Sequence, residues 1–197
     1  MLRSQHAEAT RRAVLAAARS LFGRNGYAQT SVEEIAEAAR VTKGAVYHHF
    51  AGKEALFRAV YAEVEADAQA RALAAGDPQE PAIDQLVAKM NAYLDAALDE
   101  EIRRITLIDG PAMLGLEAET PTQEQPGYVG VRTFISTAIE RGQIADFDPG
   151  IVTDLIGGLA WLSGVLIARA TDHDVTRAAL GAALEAMLRG LAPSKKR

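Results

Sequence analysis

The stretch TKGAVYHHF, residues 42–50, gathers a hydroxyl, an ammonium, a phenol and two imidazoles, with Lys53 just beyond. Metal chelation is the first chemistry this suggests. Consecutive residues on a helix point about 100° apart, however, and helical zinc ligands recur at three or four residues. His48 and His49 therefore do not share an ion, and neither His6 nor His173 has a sequence reason to join them. No metal site and no cofactor are expected.

Recognition of a phosphate backbone and of base edges uses the same residue types more fully. Thr42 can cap a helix and face a phosphate, and Lys43 in the first turn can reach a guanine edge or a phosphate. Gly44 lets a backbone come close, and Ala45 offers a methyl to a thymine methyl. Tyr47 carries a hydroxyl on a rigid ring, and Lys53 is a point charge for a phosphate. Of His48 and His49, one packs and the other meets DNA.

The elements around these residues support that chemistry. Val14, Leu15, Ala18, Leu21 and Phe22 recur at helical spacing, with Arg11, Arg12 and Arg19 among them, up to Gly23-Arg24-Asn25-Gly26. Thr30 and Ser31 followed by Glu33 and Glu34 read as an N-cap with acids in the first turn. A short helix, Val32 to Ala39, follows, and Thr42 caps another through His49. Two short helices joined by a tight turn make a helix-turn-helix, whose second helix lies in the major groove. Ala51-Gly52-Lys53 breaks that helix, and Glu54 to about Ala74 forms a longer one.

Charge is distributed accordingly. The net charge is −5, but residues 1–60 hold nine Lys/Arg against five Asp/Glu, whereas residues 61–192 hold nine against twenty-one. There is no cysteine, so disulfides and thiolate sites are excluded. No catalytic residues are assigned: the nearest carboxylate pair, Asp172 and Asp174, reads as a loop and cap, and the chain is not expected to be an enzyme. The polar start shows no secretory signal, no apolar run reaches the ~20 residues of a membrane span, and a cytoplasmic location is expected.

No alternating strand pattern occurs, and the chain is expected to be all-α. Gly76-Asp77-Pro78 with Pro81 is a candidate boundary. Further helices are expected over 83–98, over 102–108 with a stop at Asp109-Gly110-Pro111, over 129–141 with closure at Gly142, over 149–170 and over 174–191. Residues 117–127 read as a loop. The helix over 149–170 is apolar almost all round, so it should be buried on all sides. The last helix has an apolar face of Leu180, Leu184, Met187, Leu188 and Leu191. The residues alone leave open whether these two helices pack within one subunit or against a second copy.

The segment LFGRNGYAQTSVEEIAEAARVTKGAVYHHFAGKEALFRAV, residues 21–60, resembles the DNA-binding domain of TetR/AcrR-family repressors. The resemblance lies in the Phe22…Gly26-Tyr27 corner, Thr30-Ser31, Ile35-Ala36, Lys43-Gly44, Tyr47…Phe50 and Lys53-Glu54-Ala55-Leu56. It implies an N-terminal three-helix DNA-binding domain over 1–58 and a helical ligand-binding and dimerisation domain over 59–192. Residues 193–197 are expected to be a disordered basic tail. It also implies phosphate contacts from Thr30, Ser31, Tyr47, His49 and Lys53, and base or near-base contacts around Thr42, Lys43, Gly44 and His48. Arg40 stands where the family usually has glycine. Either the turn differs there, or a phosphate contact offsets a left-handed arginine.

The same resemblance implies a homodimer through helices 149–170 and 174–191, a double-stranded inverted-repeat operator and a largely apolar small-molecule effector. RRITLIDGPAMLG, residues 103–115, is similar to a stretch found in one branch of the family. Candidate effector-lining residues are Met90, Tyr93, Leu94, Thr106, Asp109, Met113, Tyr128, Phe134 and Trp161.

Overall fold

A computed structural model describes residues 2–115 and 126–193, with side chains from Gln5 onward. The described residues hold helices and no strand. In chain order they are α1 Leu2–Asn25, α2 Val32–Ala38, α3 Lys43–His49, α4 Lys53–Ala74 and α5 Ala82–Ala96. Next come α6 Glu100–Ile102, a π-helical turn Arg103–Asp109 and α7 Gly110–Leu114. The chain continues with α8 Pro126–Glu140, α9 Pro149–Arg169 and α10 His173–Arg189. The basic tail Lys195–Arg197 lies outside the described residues, as does most of the loop expected over 117–127. Its last two residues, Pro126 and Gly127, already belong to α8.

The chain forms two compact units, Met1–Glu65 with Glu100–Gly115, and Ala66–Asp99 with Leu116–Arg197. This division differs from a single cut near residue 58. The segment 100–115 follows α5 in sequence, yet it packs with the N-terminal helices.

In the N-terminal unit, α1 closes with Gly26 at φ +79°, its N–H donating to the Phe22 carbonyl at 2.9 Å. The core beneath that corner is aromatic. Phe22 and Phe57 are fully buried and meet edge-on at 5.3 Å between centroids, and Tyr27 meets Phe57 edge-on at 5.1 Å. Val14, Ile35, Val46 and Leu56 complete it.

The helix expected to stop at Asp109-Gly110-Pro111 instead continues through it with a widened turn. The Gly110 N–H donates to the Ile105 carbonyl, a five-residue step. Pro111 has no N–H to give, so an α-helical ladder would lose a bond there, and proline is tolerated because it falls in the first turn of α7. Gly110 is required for another reason. A Cβ on it would lie 2.6 Å from the Tyr61 ring.

In the C-terminal unit, α9 packs on α5, α8 and α10, and α10 packs on α5. Leu94, Ile135, Ile144 and Ile167 are its fully buried large side chains. Asp148 caps α9 through the Ile151 N–H, with Pro149 in the first turn, and Asp172 caps α10 through the Val175 N–H. Arg177 ties α10 to α5 by donating to the Asp95 carboxylate at 2.6 Å and the Asn91 carbonyl at 3.1 Å. α4 and α8 cross closely: a Cβ on Gly127 would strike the Gln69 side chain, and one on Gly130 would lie 2.9 Å from Leu73.

By length and composition α9 could cross a bilayer. It is not buried on all sides, as its composition suggested. One stripe, Ile151, Leu155, Leu162 and Leu166, remains exposed, with Leu155 at 63%. Met187, expected on the apolar face of α10, likewise points outward together with Val175.

Candidate nucleic-acid interface

The two short helices are built by local signals. Ser31 and Glu34 form a complete capping box at the start of α2: the Glu34 N–H donates to Ser31 Oγ at 3.1 Å, and the Ser31 N–H donates to Glu34 Oε2 at 2.7 Å. The Ser31 N–H, and after it the Ser31 hydroxyl donating to Oε2 at 2.8 Å, hold the Glu34 carboxyl below the usual carboxylate range. Thr42 caps α3 by accepting the Ala45 N–H at 3.2 Å.

The turn between them is a Schellman motif, in which the Arg40 N–H donates to Glu37 and the Val41 N–H to Ala36. Its left-handed position is Arg40, at φ +57°. Of the two alternatives for Arg40, a different turn is therefore overturned. The arginine adopts the glycine-like conformation, at a cost of about 1 kcal/mol.

These signals present one face of α3 to solvent. Thr42, Lys43, Gly44, Tyr47 and His48 are exposed, Ala45 and His49 are half-buried, and Val46 and Phe50 are buried beneath them. A Cβ on Gly44 would meet open space apart from an ordinary contact with the Thr42 hydroxyl. Nothing within the protein thus requires glycine there. The His48 and His49 rings lie 5.2 Å apart at 70°, and among the described residues no three His, Asp or Glu side chains gather as a metal cage.

Lys43 leans towards α2, where its ammonium contacts the Glu33 carboxylate, and lies 5.8 Å from the Tyr47 ring. Lys53 opens α4 with its ammonium 4.2 Å above the Tyr27 ring. Arg11, from α1, sits 5.3 Å over the Phe50 ring. Thr30 departs from the expected phosphate contact. Its hydroxyl is buried and donates to the Gly26 carbonyl at 2.9 Å, so it fastens the α1–α2 corner.

The candidate effector residues fall into both units. Thr106 and Asp109, in the N-terminal unit with Met113, are engaged by the protein itself. The buried Thr106 hydroxyl donates to the Ile102 carbonyl at 2.8 Å, and Asp109 Oδ2 accepts the Tyr27 N–H at 2.7 Å. In the C-terminal unit, Met90, Tyr93 and Leu94 lie on α5, Tyr128 and Phe134 on α8, and Trp161 on α9. Lys89 stands 5.5 Å over the Phe134 ring and donates to the Leu73 and Ala75 carbonyls at the end of α4, with burial lowering its pKa. Trp161 Nε1 is buried and meets no hydrogen-bond partner among the described residues, and Tyr128 Oη is buried beside the Asp154 carboxylate. Burial, and then the nearby Asp154 carboxylate, push the Tyr128 phenol up.

Sequence reasoning missed Glu33 and Arg11 at this face. Glu33 read only as an acid in a first helical turn, and Arg11 as part of an amphipathic pattern.

Known proteins share both halves of this arrangement. Residues 14–60 match the family described as bacterial regulatory proteins, tetR family, and residues 83–191 match the tetracyclin repressor-like C-terminal domain. The solved structure of a TetR-family transcriptional regulator from Pectobacterium atrosepticum is 35% identical, covers 98% of each chain and superposes with a TM-score of 0.86. The HTH-type transcriptional regulator AcrR of Shigella flexneri is 36% identical over 110 residues, 52% of this chain and 48% of that protein, so the match spans about half of that relative's length. The HTH-type transcriptional regulator TtgR of Pseudomonas putida is 28% identical over 71% of this chain and 70% of that protein.

Proposed function

The chain belongs to the TetR family of DNA-binding transcriptional regulators, and on that premise we propose that it is a homodimeric repressor, released from an inverted-repeat operator by a small molecule. The observation that carries the DNA half is the exposed face of Thr42, Lys43, Gly44, Tyr47 and His48 on a helix held by its own caps. Placed in the major groove, that face puts polar groups against base edges, while Ser31, Tyr47, His49, Lys53 and Arg40 are positioned for the flanking phosphates. Such a protein works in the cytoplasm, where bacterial DNA lies.

The exposed stripe of α9 supports the dimer. Ile151, Leu155, Leu162 and Leu166 are spread evenly about Gly158, so an antiparallel crossing against the same helix of a second copy is self-complementary. Exposed Val175, Ala182, Ala186 and Met187 on α10 extend the surface with mainly small residues. Two recognition helices would then stand about 34–36 Å apart.

The effector reading rests on Trp161, whose buried indole N–H has no partner among the described residues, and on the buried Tyr128 phenol of the same unit. A bound compound acts only if it prefers a dimer whose heads are wrongly spaced. A coupling of ~1–3 kcal/mol would weaken operator binding by roughly 5- to 150-fold.

The test is selection of bound duplexes from a random DNA pool at near-physiological salt. Enrichment of an inverted repeat supports the reading. Absence of enrichment, repeated after unfolding and refolding to strip any bound compound, would overturn it.

A further inference from the structure

We propose that Glu33 is a specificity-determining residue, which with Lys43 forms one composite reader of a G·C base pair in the major groove. The inference rests on the head being a DNA reader and adds a residue outside the recognition helix.

Glu33 lies in the first turn of α2 and Lys43 is the first residue of α3, and their side chains meet across the turn. Both are exposed, with side chains 61% and 51% accessible. The contact holds the Glu33 carboxyl below its usual range and raises the Lys43 ammonium, so both stay charged through the neutral range. The Tyr47 ring, one turn along α3, flanks the ammonium at 5.8 Å.

The pair therefore offers a donor beside an acceptor. A phosphate suits only half of it, because the carboxylate is repelled where the ammonium is drawn in. The major-groove edge of a G·C pair suits both halves. Guanine N7 and O6 are adjacent acceptors for the ammonium, and the cytosine N4 amino group next to them is a donor for the carboxylate. An A·T pair fits less well, since its amino group lies between two acceptors and one of those is left facing the carboxylate. Glu33 also neutralises a lysine that would otherwise bind any backbone.

The test compares the full-length protein with E33A, K43A and the exchanged E33K/K43E in duplex selection and in binding titrations against salt. Circular dichroism confirms that each is folded. The wild type should require a G·C pair at one position of each half-site. E33A and K43A should both lose at least tenfold discrimination at that same position. E33A should also bind random DNA more tightly, with a salt slope steeper by about one per subunit as Lys43 turns to a phosphate. The exchanged variant should recover selectivity with the base pair turned over. An E33A variant that keeps the wild-type preference and slope would overturn the proposal while leaving the DNA reading intact. A wild type that enriches no duplex would overturn the DNA reading, and this proposal with it.

Discussion

Asp109 Oδ2 accepts the backbone N–H of Tyr27 at 2.7 Å, joining residues 82 positions apart in the sequence. The acceptor stands at the end of the π-helical turn, and the donor forms the corner between α1 and α2. Arg104 reinforces the join by donating to the Asn25 carbonyl at 3.4 Å, its guanidinium packed so close to Gly26 that a Cβ there would lie 2.6 Å from it. Arg19 adds a third tie by donating to Glu101 at 2.8 Å.

Asp109→Ala leaves the part-buried Tyr27 N–H unpaired and should cost about 1–3 kcal/mol of stability. Asp109→Asn keeps an acceptor and should lose less. Urea unfolding followed by circular dichroism measures both, and an Asp109→Ala midpoint equal to the wild type would show that the bond contributes nothing.

Arg40→Gly removes left-handed strain and should stabilise the protein by about 1 kcal/mol. If Arg40 meets a phosphate, the same substitution should weaken operator binding and make its salt slope shallower by about one per subunit. A variant that gains stability without losing affinity would leave Arg40 with no role at the backbone.

The capping box of α2 gives a pH signature. The Glu34 carboxyl is held down in the folded chain, so folding releases protons where the unfolded carboxyl still binds them. The stability it supplies is complete above the ordinary glutamate range and is lost as pH falls through the depressed folded value. Ser31→Ala should cost about 1 kcal/mol at neutral pH and less in acid. A loss that does not vary with pH would show that the Glu34 charge takes no part.

Lys53→Ala and Tyr47→Phe should weaken binding to every DNA sequence alike, and Lys53→Ala should flatten the salt slope by about one per subunit. Their sequence preferences, measured by selection, should match the wild type. A changed preference would move either residue from the backbone to a base.

Leu155→Glu with Leu162→Glu places charge in the exposed stripe of α9. Sedimentation should then report a folded monomer with much weaker operator binding. A variant that stays dimeric would place the subunit contact elsewhere.

What could be read in the sequence was what is determined locally. The caps at Ser31 and Thr42, the first-turn Pro149 and the closures at Gly26 and Gly142 depend on a few neighbouring residues, so α2, α3 and α9 begin close to where the pattern put them. The exposed face of α3 followed from the same signals. The place of residues 100–115 was not legible, because the partners of Asp109 and Glu101 lie some eighty residues away. Gly110-Pro111 misled for a related reason. It stops an α-helix, but a five-residue step carries the chain past it. The half-exposure of α9 was hidden because composition counts apolar residues without saying what covers them. Thr30 was read with Ser31 as the opening of a helix and a phosphate contact, but its hydroxyl is directed inward to the Gly26 carbonyl.

Trp161 is the chain's single tryptophan, and its buried indole N–H has no partner among the described residues. The near-ultraviolet emission excited at long wavelength therefore comes from one place on α9. A compound that accepts a hydrogen bond from that indole changes the emission of the unmodified protein. The helix proposed to offer its outer stripe to a second copy thus carries a built-in optical probe, by which candidate compounds can be screened without a label and without DNA.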